Sequence, residues 1–477
     1  MDDRGMGLTL EQVLRFTGGR PVGPVGERFF RRVSTDSRDL EPGDLFVALK
    51  GEKFDGYDFC GEALRKGAQG LIVDRPLSED LVRAFRPLEI RVPDTLRALG
   101  DLAAGWRRRF PVPVAALTGS NGKTTTKEMA VAILRLSFRC LWSPGNFNNR
   151  VGLPLTLLRL GPEHERVVLE MGMNQPGEIR ELTRIAWPQT GVLLNVGPAH
   201  LEKFADLDGI AAAKGEILES MPEGALFVYN QDDPRVASLA RRWPGPKRSF
   251  GFGADCDVRP LEESGTAQSR KIRFSVQGLL VEAHLRLPGR HNVYNALAAA
   301  ALAQSLGAPA EAIEEGLSRF EGMAGRFSVE PGERFTIVND TYNANPKSME
   351  CALDTLDEIS PPGGRILVLG DMLELGAQSE QAHFELGRRA ARFRPAALFV
   401  TGAFAQKVKE GALAEGYDEE KIELFEDPSQ LAREILGRIQ GGEWILIKGS
   451  RGMAMERVVR ALKENAALAG SKGETRP

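Results

Sequence analysis

Only four cysteines, Cys60, Cys140, Cys256 and Cys351, occur in 477 residues. They lie far apart and without metal-ligand spacing, which argues against a disulfide scaffold or a structural zinc site and leaves reduced thiols as the expectation. An excess of one charge is lacking too: 62 Lys plus Arg face 65 Asp plus Glu, a net charge of -3. Without a general attraction for nucleic acid or an anionic membrane, any anion must be bound locally. No run of about 18 uncharged apolar residues is present. The start, "MDDRGMGLTLEQVLRF", is acidic and has no apolar stretch of signal-peptide length. The expectation is a soluble, cytoplasmic chain with no nucleic-acid contact and no membrane insertion, acting as a monomer.

What the chain does have is rhythm. Short apolar runs, "GLIV", "VPVAAL", "RVVLEM", "TGVLLNV", "RILVLG", "ALFVTG" and "EWILIKG", recur between amphipathic helical stretches, with no internal repeat or low-complexity tract. Such alternation predicts parallel sheets covered on both faces by helices, the α/β class. At roughly 150 residues per domain the chain asks for about three. The helical "DTLRALGDLAAGWRRRF" leads from a first module into the "VPVAAL" strand, and "EGMAGRFSVEPGERFTIVND" reads as a linker into a third, doubly wound module. The expected division is 1–95, 96–327 and 328–477.

The densest signal is "ALTGSNGKTTTKE", residues 116–128. A buried strand over 112–117 and a helix from Lys123, with Met129, Ile133 and Leu136 on one face, place Gly119 and Gly122 in the turn between them. Glycines let several backbone N–H groups and the helix N-terminus face one anion; Lys123 adds a mobile positive charge and Thr124 a hydroxyl suited to Mg²⁺. The full spacing G-x-x-x-x-G-K-[ST] would need glycine at 117, where leucine stands. The loop is a variant.

Other candidates are open when read from the residues alone. Glu170 ends the apolar "RVVLE" run, where a parallel sheet presents ligands, yet a solvated edge glutamate reads the same way. His200 in "NVGPAHLEKF" is a ligand or a surface histidine. Lys214 in "AAAKGEIL" is a special lysine or one that snorkels to water. "NFNNRVGLP", with Asn146 and Asn149, is a polar turn or a site loop. Asn292 and Asn295 share a helical face and have amides able to read adenine, with an N-cap role open for Asn292. In "STDSR", the hydroxyls of Ser34, Thr35 and Ser37 with Asp36 and Arg38 are a pyrophosphate or uridine grip, or a helix cap. Asp371 and Glu374 of "LGDMLELG", and Lys448, Ser450 and Arg451 of "IKGSRGMAME", follow apolar strands; they suit the two ends of a zwitterion or pair with each other.

Taken together, "TGSNGKTTTKE", "STDSRDLEPGDLFVALKGEKFDGYDF", "NDTYNANPKSM" and "LGDMLELG" resemble the Mur ligase family, over most of the chain. The resemblance implies a three-domain α/β architecture: a UDP-muramoyl-peptide-binding module, a central P-loop ATPase-like parallel-sheet domain and a C-terminal Rossmann-like domain. It implies that Thr118, Gly119, Ser120, Asn121, Gly122, Lys123, Thr124 and Thr125 hold ATP. Asn292 and Asn295 would contact the base, Arg326 the phosphates and Asp340 the ribose. Mg²⁺ would be held by Thr124, Glu170, His200 and Lys214, the last as a carbamate; Lys123, Glu170, His200 and Lys214 form the implied catalytic set.

The implied reaction is ATP-driven peptide ligation through an acyl phosphate, with UDP-N-acetylmuramoyl-tripeptide and D-alanyl-D-alanine as substrates. A rival within the family adds a diamino acid one step earlier and carries an Asp-Asn-Pro-Arg signature in its third module. Here the nearest string, Asp232-Asp233-Pro234-Arg235, falls in the central module. A rival of another class is a non-catalytic nucleotide-binding regulator, against which the presence of Glu170, His200 and Lys214 counts.

Overall fold

A computed structural model describes residues 7–51, 53–198, 201–204, 206–266, 269–426 and 428–471. The first sheet holds, in spatial order, Arg20–Val22, Glu89–Arg91, Gly70–Val73, Leu45–Val47 and Val33–Ser34, parallel except at its Arg20–Val22 edge. The central sheet is wholly parallel: Lys247–Phe250, Leu226–Asn230, Thr190–Leu193, Val114–Thr118, Arg166–Glu170 and Cys140–Trp142. The third runs Ser328–Pro331, Phe335–Asp340, Glu443–Lys448, Arg365–Gly370, Ala397–Thr401 and Ile422–Phe425, parallel except at its Ser328–Pro331 edge.

Val114–Thr118 is buried at every position, as a strand covered on both faces must be. It pairs with Arg166–Glu170 on one side and Thr190–Leu193 on the other, and the chain from Arg166–Glu170 crosses it to reach Thr190–Leu193, so a crevice opens beyond the carboxyl ends of these strands. The helix Lys123–Leu134 leaves that crevice and packs against the alanine-rich helix Arg290–Ser305 and the helix Ala310–Arg319. Small side chains permit the close approach: a methyl group at Gly316 would meet Ile133 Cα at 2.5 Å.

Three expectations need revision. Leu136 is 41% exposed, because the helix stops at Leu134 and the chain tightens into a turn in which Leu136 N–H donates to Ile133 O. The supposed linker after residue 320 is largely sheet, since Ser328–Pro331 and Phe335–Asp340 pair antiparallel. An antiparallel meander, Arg259–Thr266, Ser269–Val276 and Leu279–Leu285, is added to the parallel pattern, its last two strands alternating buried and exposed residues as a half-solvated sheet does.

The cores differ in continuity. One apolar cluster runs from Leu10, Phe30 and Ile72 of the first unit through Leu99 and Leu102 of the helix Thr95–Arg107 to Val114 and Leu169 of the central sheet. The third sheet has its own clusters, one on each face. The first two units are therefore welded by burial, while the third shares no buried cluster with them and meets the central unit at Leu201 and through polar contacts such as Asn345 to Asn121.

Arg107 secures the end of the helix Thr95–Arg107 within the central unit. Its buried guanidinium donates to Ala186 O (3.2 Å), Phe110 O (2.7 Å) and Val112 O (3.0 Å). Arg107→Met leaves these carbonyls without their donor, and the expected loss is about 3 kcal/mol of unfolding free energy. A urea unfolding curve checks this, through a lower midpoint at unchanged slope.

Candidate active site

The phosphate loop is built before any ligand arrives. Ser120 N–H and Asn121 N–H donate to the backbone and side-chain oxygens of Asn195 (3.1 and 2.9 Å). Asn195 Nδ2 returns a bond to Asn121 O (3.0 Å), and Ser120 Oγ both donates to Gly197 O and accepts from Gly197 N–H. Gly122, at φ +81°, turns the chain into the helix Lys123–Leu134, whose N-terminus has no side-chain cap. Uncapped N–H groups and the helix dipole thus face a common point, the arrangement that binds phosphate. Lys123 Nζ lies over the loop, donating to Gly119 O (2.7 Å) and Ser120 O (3.3 Å). Desolvation lowers its pKa, Arg326 adds to the effect and Glu170 opposes it. Thr118 Oγ1 is buried at the strand end without a partner, and Thr125 lines the cavity.

That cavity, of about 790 Å³, lies between the central and third sheets. Glu170 is 2% exposed at its floor; Oε1 accepts from Asn148 Nδ2 at 2.8 Å, and Oε2 is buried with no hydrogen-bond partner. A buried carboxylate oxygen left so is suited to a cation. Thr124 Oγ1 accepts from Arg326 Nη2 (2.8 Å), and the Arg326 guanidinium stacks on Tyr342 at 3.9 Å. Lys214 is 2% exposed, its side chain has no hydrogen bond or ion pair among the described residues, and burial, reinforced by Lys123, drives its pKa well down. His200 lies outside the described residues. Among the described residues no three His, Cys, Asp or Glu side chains converge as a metal cluster.

Asn292 and Asn295 border the cavity but hold each other: Asn295 Nδ2 donates to Asn292 Oδ1, and Asn292 Nδ2 to Pro288 O. Asn295 Oδ1 accepts from Thr126 and lies directly beneath Gly122. Asp340 accepts from Phe327 N–H and pairs with Lys448 at 2.7 Å; Lys448 also donates to Asn343 O. The amide-rich loop contributes Asn149, which accepts from Val151 and Gly152 N–H, while Asn146 stays exposed. The amide on Glu170 is Asn148, a role the sequence pattern does not distinguish from its neighbours'. Asn345, N-cap of the helix Pro346–Ile359, donates to Asn121 Oδ1 at 2.8 Å, so the third unit touches the phosphate loop.

The remaining candidates are not gathered here. Ser34 bonds Asp39 and the Asp36 backbone, Ser37 donates to Glu62, and Arg38, by hydrogen bonding, holds the Asp36 carboxyl down at about 2. Ser34 ends the Val33–Ser34 strand of the first sheet and Thr35, Asp36, Ser37 and Arg38 follow it, away from the cavity lining. Asp371 is not presented to a ligand ammonium: its carboxylate accepts Ala403 and Phe404 N–H and is 3% exposed. Ser450 is likewise turned inward, bonding Leu373 N–H and Ala344 O. Arg451 remains largely exposed, 5.8 Å from the Tyr342 ring, and Glu374 takes φ +64° with its carbonyl accepting Glu202 N–H.

Comparison with known proteins agrees with this layout. Residues 117–303 match the Mur ligase middle domain, 325–451 the Mur ligase, glutamate ligase domain, and 30–107 the Mur ligase family, catalytic domain. The chain is 39% identical over 465 residues to the UDP-N-acetylmuramoyl-tripeptide--D-alanyl-D-alanine ligase of Escherichia coli K12, covering 96% of this chain and 99% of that protein. It is 34% identical to the Bacillus subtilis protein of the same description, covering 96% and 98%. Among solved structures, MurF from Acinetobacter baumannii superposes with a TM-score of 0.88 at 35% identity, covering 97% of this chain and 100% of that one. MurF ligase from Thermotoga maritima in complex with ADP gives 0.81 at 31% identity, covering 92% and 98%.

A methyl group at Gly122 would stand 2.3 Å from Asn295 Oδ1 and force a left-handed φ on alanine. Gly122→Ala should therefore weaken ADP binding at least about tenfold. Adding Asn295→Ala removes the clash but not the backbone strain, so calorimetry should show only partial recovery.

Proposed function

The chain belongs to the Mur ligase family, and on that premise we propose that it joins D-alanyl-D-alanine to UDP-N-acetylmuramoyl-tripeptide, using ATP. The product is the UDP-muramoyl-pentapeptide from which peptidoglycan is made, and through it cell shape and division are served. The observation that carries this reading is near full-length similarity to ligases so described, joined to a preformed phosphate loop that opens on a cavity shared with the third unit. No helix among the described residues is long and apolar enough to cross a membrane, which is compatible with a cytoplasmic enzyme.

The residues divide the work as follows. Backbone N–H groups from Gly122 to Thr125 and the Lys123 ammonium hold the phosphates, with Arg326 turning from Thr124 to the transferred group. The terminal carboxylate of the tripeptide attacks the γ-phosphorus, ADP leaves, and the resulting acyl phosphate is attacked by the dipeptide amine, expelling phosphate. Charge that develops on the transferred oxygens is met by fixed donors. Glu170, through its unpartnered Oε2, and the Thr124 hydroxyl fit a divalent cation, with His200 and a carbamylated Lys214 completing the set. Mg²⁺ held there would neutralise phosphate charge. Asn292, Asn295 and Asp340 are assigned to the nucleoside, the 34–38 segment to the UDP end, and Arg451 and Glu374 to the acceptor side. The units at 1–95, 96–327 and 328–477 bring three substrates together on closure.

Two measurements test this. Phosphate release with UDP-muramoyl-tripeptide, ATP and Mg²⁺ should require D-alanyl-D-alanine and be lost in Lys123→Ala, which should remain folded. Turnover of the UDP-dipeptide with lysine or diaminopimelate, and none with the D-dipeptide, would install the diamino-acid reading.

Lys214 is expected to carry CO₂, because desolvation favours the neutral amine that forms a carbamate. Native mass spectrometry in bicarbonate should show the adduct in wild type and not in Lys214→Ala. Full activity of Lys214→Ala without an added carboxylate would remove the assignment.

A further inference from the structure

One buried cation has no part in the reaction as described. Lys127 lies one turn beyond Lys123 on the same helix, its side chain wholly enclosed. Burying an ammonium is costly unless its protons are used. Here Nζ donates to Ser143 O (2.6 Å) and Gly145 O (3.3 Å) and lies 3.0 Å from Glu128 Oε1. Two carbonyls take hydrogen bonds from the ammonium and Glu128 pairs with its charge. Glu170 Oε2 is 3.8 Å away, beyond hydrogen bonding but close enough for strong attraction in a dry site.

The two carbonyls open the loop whose other end controls Glu170. Ser143 Oγ accepts Glu170 N–H (3.1 Å), Asn148 Nδ2 donates to Glu170 Oε1 (2.8 Å), and Gly172 N–H donates to Asn148 O (2.7 Å). The loop from 143 to 148 is thus clamped by Lys127 on one side and by the Arg166–Glu170 strand end on the other.

We propose that Lys127 is the positioning residue of the Glu170 carboxylate. It pins the loop so that Asn148 takes Oε1, and it balances the carboxylate charge from a distance that leaves the Oε2 lone pairs open to a cation. An ammonium bonded directly to Oε2 would have to be displaced by any incoming metal; one engaged by loop carbonyls does not. The proposal rests on the reading of Glu170 as a cation ligand.

The readout is the coupling between Mg²⁺ and nucleotide: the ratio of ADP dissociation constants without and with Mg²⁺, by calorimetry on the full chain. Lys127→Met should lower this ratio at least about tenfold, the scale of outer-sphere effects on metal sites, with metal-free ADP affinity changed less than about twofold. Glu170→Gln should lower the ratio similarly; if it does not, the cation-ligand reading itself fails. If Glu170→Gln lowers the ratio and folded Lys127→Met keeps it, the positioning role is overturned. Equal loss of metal-free and metal-bound affinity also overturns it, since that is a general structural effect. Should Lys127→Met not fold, Lys127→Gln carries the same comparison. Asn148→Ala, a loop change outside the core, must also lower the ratio, and an unchanged ratio there overturns the proposal whatever the lysine variants do.

Discussion

The crevice is held together around an imbalance of charge. Lys123, Lys214 and Arg326 converge on a cavity whose floor offers one buried carboxylate, Glu170. Burial depresses both lysines; Lys123 adds to the depression of Lys214, whereas at Lys123 the Glu170 carboxylate opposes it and Arg326 adds a smaller share. Such a site is costly to keep folded and favours a polyanion that compensates its cations. The stitching of the loop to Asn195 and Gly197, the clamp on Glu170 and the positive φ of Gly122 keep these groups from relaxing toward one another.

Architecture follows from the same requirement. A shared apolar core fixes the first unit to the central one, so a ligand bound on the first unit would be kept at a set distance from the phosphate loop. The third unit keeps separate cores, touched by Leu201 of the central unit, and reaches it also by directional polar contacts: Asn345 to Asn121, and the Glu374 carbonyl to Glu202 N–H. Contacts of that kind can be exchanged for ligand contacts at modest cost, whereas an apolar weld cannot. Glu374 sustains a left-handed backbone at this seam, the sort of strain found where units meet and move.

Much of this was legible in the residues because buried parallel strands have to be apolar throughout. "GLIV", "RILVLG", "ALFVTG" and "EWILIKG" mark Gly70–Val73, Arg365–Gly370, Ala397–Thr401 and Glu443–Lys448. The meander from 259 to 285 escaped because a solvated hairpin needs only alternate apolar positions, and its first strand is mostly exposed. In the site, glycine spacing disclosed the loop, since backbone freedom leaves a signature. Side-chain partnership does not: Asp371, apt for an ammonium by type, caps Ala403 and Phe404 N–H, and Lys127, apt for the surface, is enclosed. Nor does the string "NFNN" tell which asparagine turns toward Glu170.

If the crevice is a set of cations gathered around one buried carboxylate, a bound polyanion must draw its affinity from them. The most direct measurement is calorimetry of metal-free ADP binding to wild type, Lys123→Met and Arg326→Met. Affinity lowered at least about tenfold in each folded variant is the result expected. Unchanged affinity in both would contradict a crevice held together in this way.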